Sequence, residues 1–296
     1  MREQTLNTEA LKPLYGPADE PVFHRKAGSK PGEKAVVSKG RRPSVIPIAN
    51  NLRHELDVWR QGDYAGVSKT SRELLYHWFF TDHVFATDAG EPLQFSYYFC
   101  QREAIETLIY LVEVRGIRSL SALKAEFEGD LEGKGITPEE DLWARYAFRM
   151  ATGSGKTKVM SLAIVWSYFH ALRESDSPMA KNFLVIAPNL TVFERLKDDF
   201  ADGRIFDKDP LIPPAWKGDW NLSVVLQDEA SGAATGGTLY LTNIHRLFSA
   251  RQGRSREAAT YDWAGPAVSR GSALDTSEAL RNRVTSHPNL MVINDE

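Results

Sequence analysis

Cysteine is nearly absent. Cys100 is the one cysteine in 296 residues, so no disulfide can form within the chain and a packed core must hold it together. A single thiol suits a reducing compartment, and the expectation is a free, buried Cys100. Long apolar runs are missing as well. No stretch reaches the ~18 apolar residues of a membrane-crossing helix, and Met1 to Thr5 opens no apolar leader. These absences predict a cytoplasmic protein with no membrane partner. A large excess of charge of one sign is also missing. The formal net charge is −3, so any nucleic-acid contact must come from local patches. No internal repeat is visible. His54, His77 and His83 do not fall in pairs on one helix face, which argues against a metal site built on them.

Apolar content is ordinary at 42%, enough for one large domain or two smaller ones. The most informative stretch is Met150-Ala151-Thr152-Gly153-Ser154-Gly155-Lys156-Thr157. Ala144 to Arg149 before it reads as a strand. Lys158 to Leu172 after it is apolar, free of Gly and Pro, and reads as a helix. Strand, glycine loop and helix are the context of a phosphate-binding loop. Gly153 and Gly155 open backbone conformations closed to other residues. The N–H groups of Thr152, Gly153, Ser154 and Gly155 can then wrap a phosphate at a helix N-terminus. Lys156 is placed for the β- and γ-phosphates of ATP, and Thr157 for Mg²⁺. The competing reading is a turn that happens to be Gly-rich.

The rest of the chain reads in order. Residues 1–49 carry six prolines and look irregular. Arg25, Lys26, Lys30, Lys34, Lys39, Arg41 and Arg42 make them basic: either an arm for DNA phosphates or a solvated tail. Residues 50–94 form a helical accessory region, with Leu52, Leu56 and Trp59 at helical spacing and Ser68 or Ser71 as a cap. A helix is expected from near Gln101, with Ala104, Ile105, Leu108 and Leu111 on its apolar face. Phe99 could stack on adenine while the Gln101 amide pairs with its N6 and N7; otherwise both are structural. Residues 115–143 are a charged, Gly-containing insertion. Its Glu132-Gly133-Lys134 matches the tail of a nuclease pattern but lies in a loop and is set aside. Phe183–Ala187 reads as a buried parallel strand, and Leu222–Leu226, Thr238–Thr242 and Leu290–Ile293 read as further strands. Thr191 can cap a helix from Val192 to Phe200. Residues 250–287 read as a loop with some helix.

This ordered set resembles the first motor domain of superfamily 2 helicases of the DEAD/DEAH type. Within them it is similar to the helicase subunits of type III restriction enzymes and their stand-alone relatives. The matching pieces are Phe99 to Ala104, Met150 to Thr157, Ala187 to Val192 with Glu194-Arg195-Leu196, Thr242-Asn243-Ile244, and Val292 to Glu296. The resemblance covers residues 95–296, and 41–94 more loosely. Met150 stands where the general loop pattern has Gly, a departure familiar from helicase-type loops.

The resemblance implies an α/β P-loop NTPase fold of the RecA-like kind, a mostly parallel sheet with helices on both faces. It implies ATP hydrolysis coupled to movement on double-stranded DNA, with a modification (methyltransferase) subunit as partner. Asp295 would hold Mg²⁺ with Thr157, and Glu296 would take the proton of the attacking water. Asn189, Thr191, Arg195, Asn243, His245 and Arg246 would track the nucleic-acid backbone, or else be ordinary capping and loop residues. Asp228-Glu229 also follows an apolar strand and competes with Asp295-Glu296 for the carboxylate role. The family's motif continues beyond Asp-Glu. The expectation is therefore an N-terminal fragment, lacking the second motor domain and any nuclease domain, and inactive alone. Two other classes stay open: a P-loop ATPase unrelated to helicases, and a non-catalytic nucleotide- or DNA-binding fragment.

Overall fold

The structure, a computed structural model, describes residues 23–26, 36–86, 92–128, 136–142, 144–227, 235–247 and 280–295. The chain divides into two compact units, 1–159 and 160–296.

In the first unit, β1 (Phe23–Lys26) and β2 (Val36–Lys39) pair as an antiparallel ribbon within a stretch that reads as irregular. Helix α1 (Pro47–Gln61) follows and buries Leu52, Leu56 and Trp59, the face that the spacing marks. Helix α2 (Lys69–Phe80) is capped by Ser68, whose side chain accepts from the Ser71 N–H at 3.1 Å. The short strands β3 (His83–Ala86) and β4 (Pro92–Phe95) form a hairpin. Helix α3 (Phe99–Ile109) then runs into a π-helical turn, Tyr110–Val114. The expected insertion holds α4 (Leu120–Glu128) and α5 (Pro138–Asp141); Glu132, Gly133 and Lys134 lie outside the described residues.

Helix α3 is buried almost all round, which corrects one expectation. Cys100 is exposed, because Cys100, Glu103 and Thr107 form its outer stripe at helical spacing. Burial of the helix around it still pushes the thiol pKa up. On the inner side, the Glu106 carboxylate is fully buried. It accepts from Arg60 Nε at 2.6 Å, Arg102 Nε at 2.7 Å and the Tyr64 hydroxyl at 2.6 Å. Burial, and then this carboxylate, hold the Tyr64 phenol well above its usual pKa. The cluster ties α1, the turn after it and α3 through one anion.

The second unit begins inside α6 (Lys156–Arg173). Its sheet runs β6 (Leu222–Leu226), β7 (Gly237–Asn243), β5 (Asn182–Ala187), β8 (Met291–Asn294), and every pairing is parallel. Helices flank it on both faces. All seven residues of β7 are buried, as a central parallel strand requires. Helix α7 (Leu190–Phe200) packs against β5 and β7. The helix over 280–285 sets Leu280 and Val284 on Leu184, Tyr240 and Val225, one row across the sheet. Two short helices, α8 (Arg204–Lys208) and α9 (Ile244–Leu247), complete the unit.

Two local expectations fail. Residues 144–149 are not a strand. A strand needs a partner for its backbone groups, and among the described sheets none takes this segment. The cap of α7 is Asn189 rather than Thr191: its backbone is extended, and its Oδ1 accepts from the Val192 N–H at 2.9 Å.

The buried anion gives a test. Glu106→Ala leaves two guanidinium groups without their shared carboxylate and should cost ~3–5 kcal/mol of stability. Urea denaturation of the purified chain measures this, and a loss under about 1 kcal/mol would mean that the guanidinium groups find other partners.

Candidate functional site

The phosphate loop has the backbone that its glycines permit. Gly153 and Gly155 both sit at φ +79°, where a side chain costs roughly 1–2 kcal/mol. Ser154 folds back on the loop, its N–H at 3.2 Å and its hydroxyl at 2.6 Å from the Ala151 carbonyl. Helix α6 starts at Lys156 and runs for 18 residues, so the loop ends on a full helix N-terminus. Thr152 and Gly153 are exposed, while Ser154 to Lys158 are half-buried. Lys158 lies over the Phe95 ring, its Nζ 5.2 Å from the centroid.

Gln101 is joined to this loop. It is 1% exposed, and its Nε2 donates to the Ser154 carbonyl at 2.9 Å. Its Oε1 accepts from the Tyr98 N–H at 3.0 Å, which satisfies the orphan donor at the start of α3. A Cβ on Gly155 would collide with Gln101 Nε2, whereas one on Gly153 would meet open space. Gly155 therefore serves twice, once for its φ and once for the close approach of Gln101.

Phe99 is placed differently from its sequence reading. It is buried, and the guanidinium carbons of Arg41 and Arg60 lie 5.2 and 5.3 Å from its ring centroid. The aromatic left open at this end of α3 is Tyr98, 46% exposed. Neither Arg41 nor Arg60 could be found from the sequence, because both reach α3 from more than 35 residues upstream.

In the second unit, the remaining candidates gather where the parallel strands end. Asn189 to Arg195 follow β5, Asn243 to Arg246 close β7, and Asp295 follows β8. In open parallel sheets ligands bind at this edge. Asn189 and Thr191 are exposed, Asn189 being the helix cap. Asn243 is 2% exposed. Its N–H donates to Gln227 Oε1 at 3.0 Å, its Oδ1 accepts from the His245 N–H at 2.8 Å, and its Nδ2 is buried without a partner. His245 is exposed; the Arg246 side chain lies outside what is described. Asp295 is 5% exposed. Its N–H donates to the Ile186 carbonyl at 3.1 Å, and its Oδ2 accepts from Arg195 Nη2 at 3.1 Å. Glu296, Asp228 and Glu229 lie outside the described residues. Among the described residues no cluster of His, Cys, Asp and Glu makes a metal site by itself, and no helix is long and apolar enough to cross a membrane.

A family model described as "Type III restriction enzyme, res subunit" matches residues 94–296. No curated protein matches, and no solved structure does.

The two loop glycines separate strain from contact. Gly153→Ala should cost only the backbone strain, about 1–2 kcal/mol. Gly155→Ala should cost more and should also displace Gln101. Denaturant unfolding of both variants, with the Gln101 side-chain amide followed by NMR, checks this. Equal losses and an unmoved amide would remove Gln101 from the loop.

Proposed function

This chain belongs to the type III restriction enzyme res-subunit family, and on that premise we propose which of its residues bind and turn over ATP. The family makes it an ATP-binding helicase/translocase domain, an ATP-dependent enzyme that uses Mg²⁺ and binds DNA. The observation that carries the residue assignment is the loop 151–155. Its two left-handed glycines open helix α6 at Lys156, and Gln101 is bonded into it.

The loop N–H groups and the helix N-terminus receive the phosphates. Lys156 neutralises charge on the β- and γ-phosphates. Gln101 and an aromatic at the start of α3 select the base, Tyr98 being the accessible ring and Phe99 its support. Thr157, in the first unit, and Asp295, in the second, each carry a hard oxygen donor of the kind that suits Mg²⁺, an ion that would draw charge from the phosphate oxygens. Hydrolysis adds water to the γ-phosphorus and breaks its bond to the bridging oxygen, releasing ADP. Glu296 takes the proton from the water. Asn189, Thr191, Arg195, His245 and Arg246 face the backbone of double-stranded DNA from the strand ends, and Asn243 holds the α9 turn. We place the motor domain at residues 95–296, with 50–94 as an accessory region and 1–49 as a basic arm. A modification subunit as partner and a cytoplasmic location complete the proposal.

Calorimetry with MgATP tests the phosphate site. Lys156→Ala should weaken binding at least tenfold, since a charge-assisted contact is worth about 1.5–3 kcal/mol. Unchanged affinity would remove Lys156 from the site. Gln101→Ala should instead reduce the preference for ATP over GTP. The same preference in both chains would return Gln101 to a purely structural role.

A further inference from the structure

Arg41 belongs to a basic stretch and invites a reading as a DNA contact, yet its guanidinium is turned into the protein. It forks onto both carboxylate oxygens of Glu103 and lies over the Phe99 ring. Its side chain is 19% exposed and that of Glu103 is 14% exposed. The segment that carries it is fixed to α1 by a reciprocal pair: Ser44 N–H to Asn50 Oδ1 at 2.7 Å, and Asn50 Nδ2 to the Ser44 carbonyl at 2.9 Å.

Phe99 and Glu103 are four residues apart, so they share one side of α3. Gln101 lies between them in sequence and ~200° round the helix from Phe99. One side of the first turns of α3 is therefore gripped by Arg41, while the other sends the Gln101 amide to the Ser154 carbonyl. An arginine suits this grip, because its planar fork meets both carboxylate oxygens and lies flat on a ring; lysine does neither.

We propose that Arg41, outside the segment that matches the family, is a positioning residue for the nucleotide: it clamps Phe99 and Glu103 so that Gln101 stays seated on the phosphate loop. This rests on the nucleotide site proposed above. Arg41 touches no nucleotide and acts through Gln101. Its loss should loosen base selection and ATP affinity while leaving the loop's own phosphate contacts in place.

The test is a double-mutant cycle on the whole chain, read by titration with fluorescent ATP and GTP analogues. Arg41→Ala should weaken the ATP analogue about tenfold and reduce its preference over the GTP analogue to that of Gln101→Ala. In the Gln101→Ala background, Arg41→Ala should add nothing. Arg41→Lys, which keeps the charge and guards against loss of folding in the alanine variant, should show part of the same loss of preference. Equal effects of Arg41→Ala in both backgrounds would overturn the proposal in favour of general stabilisation. Unchanged ATP binding with weaker binding to a DNA duplex would overturn it in favour of a DNA contact. If Lys156→Ala abolishes ATP-analogue binding and Arg41→Ala changes nothing, this inference alone fails. If Lys156→Ala binds like the parent, the nucleotide site fails and takes this inference with it.

Discussion

The side-chain amide of Gln101 makes one bond within the protein at each of its two ends. Its oxygen closes the start of α3 and its nitrogen holds the Ser154 carbonyl. The bond is possible because Gly155 has no Cβ. Loop shape, helix start and the residue proposed to select the base are thus parts of one arrangement. A loop without side-chain bulk would otherwise sample many backbone states, and a buried bond to a neighbouring helix narrows them. Preorganisation of this kind lets the loop bind phosphate without first ordering itself.

Behind that contact stands a second set of charges. Glu106 gathers Arg60, Arg102 and Tyr64, and Glu103 takes Arg41. Buried ion pairs are weak net sources of stability, but they are demanding about geometry. Here they fix the rotation and depth of α3. Arg60 joins the two sets, bonded to Glu106 and lying over Phe99.

The second unit uses a different constraint. Parallel strands buried on both faces bring all their C-terminal ends to one edge. Asp295 and Arg195, 100 positions apart in the chain, meet there. The pair joins a carboxylate assigned to Mg²⁺ with an arginine assigned to DNA, so the two assignments concern neighbouring atoms. Asn243, at the same edge, is spent on Gln227 and the α9 turn.

The sequence by itself determined what short-range chemistry decides. The strands at 182, 222, 237 and 291 follow from short apolar runs, and α6 from a long apolar stretch without Gly or Pro. The phosphate loop follows from two glycines before Lys-Thr, and α1 and α2 follow from their periodicity. Each depends on residues within about one helical turn or one strand of one another. Only the tertiary structure decided the rest. Residues 144–149 have strand-like composition, but a strand exists only with a pairing partner. Phe99 reads as a base platform until Arg41 and Arg60 arrive over it from upstream. Cys100 reads as buried until α3 turns it to the outer stripe. Arg41 reads as an exposed basic residue until Glu103, 62 positions away, receives it. Partnerships of that range carry no local pattern, because they are set by how the helices pack.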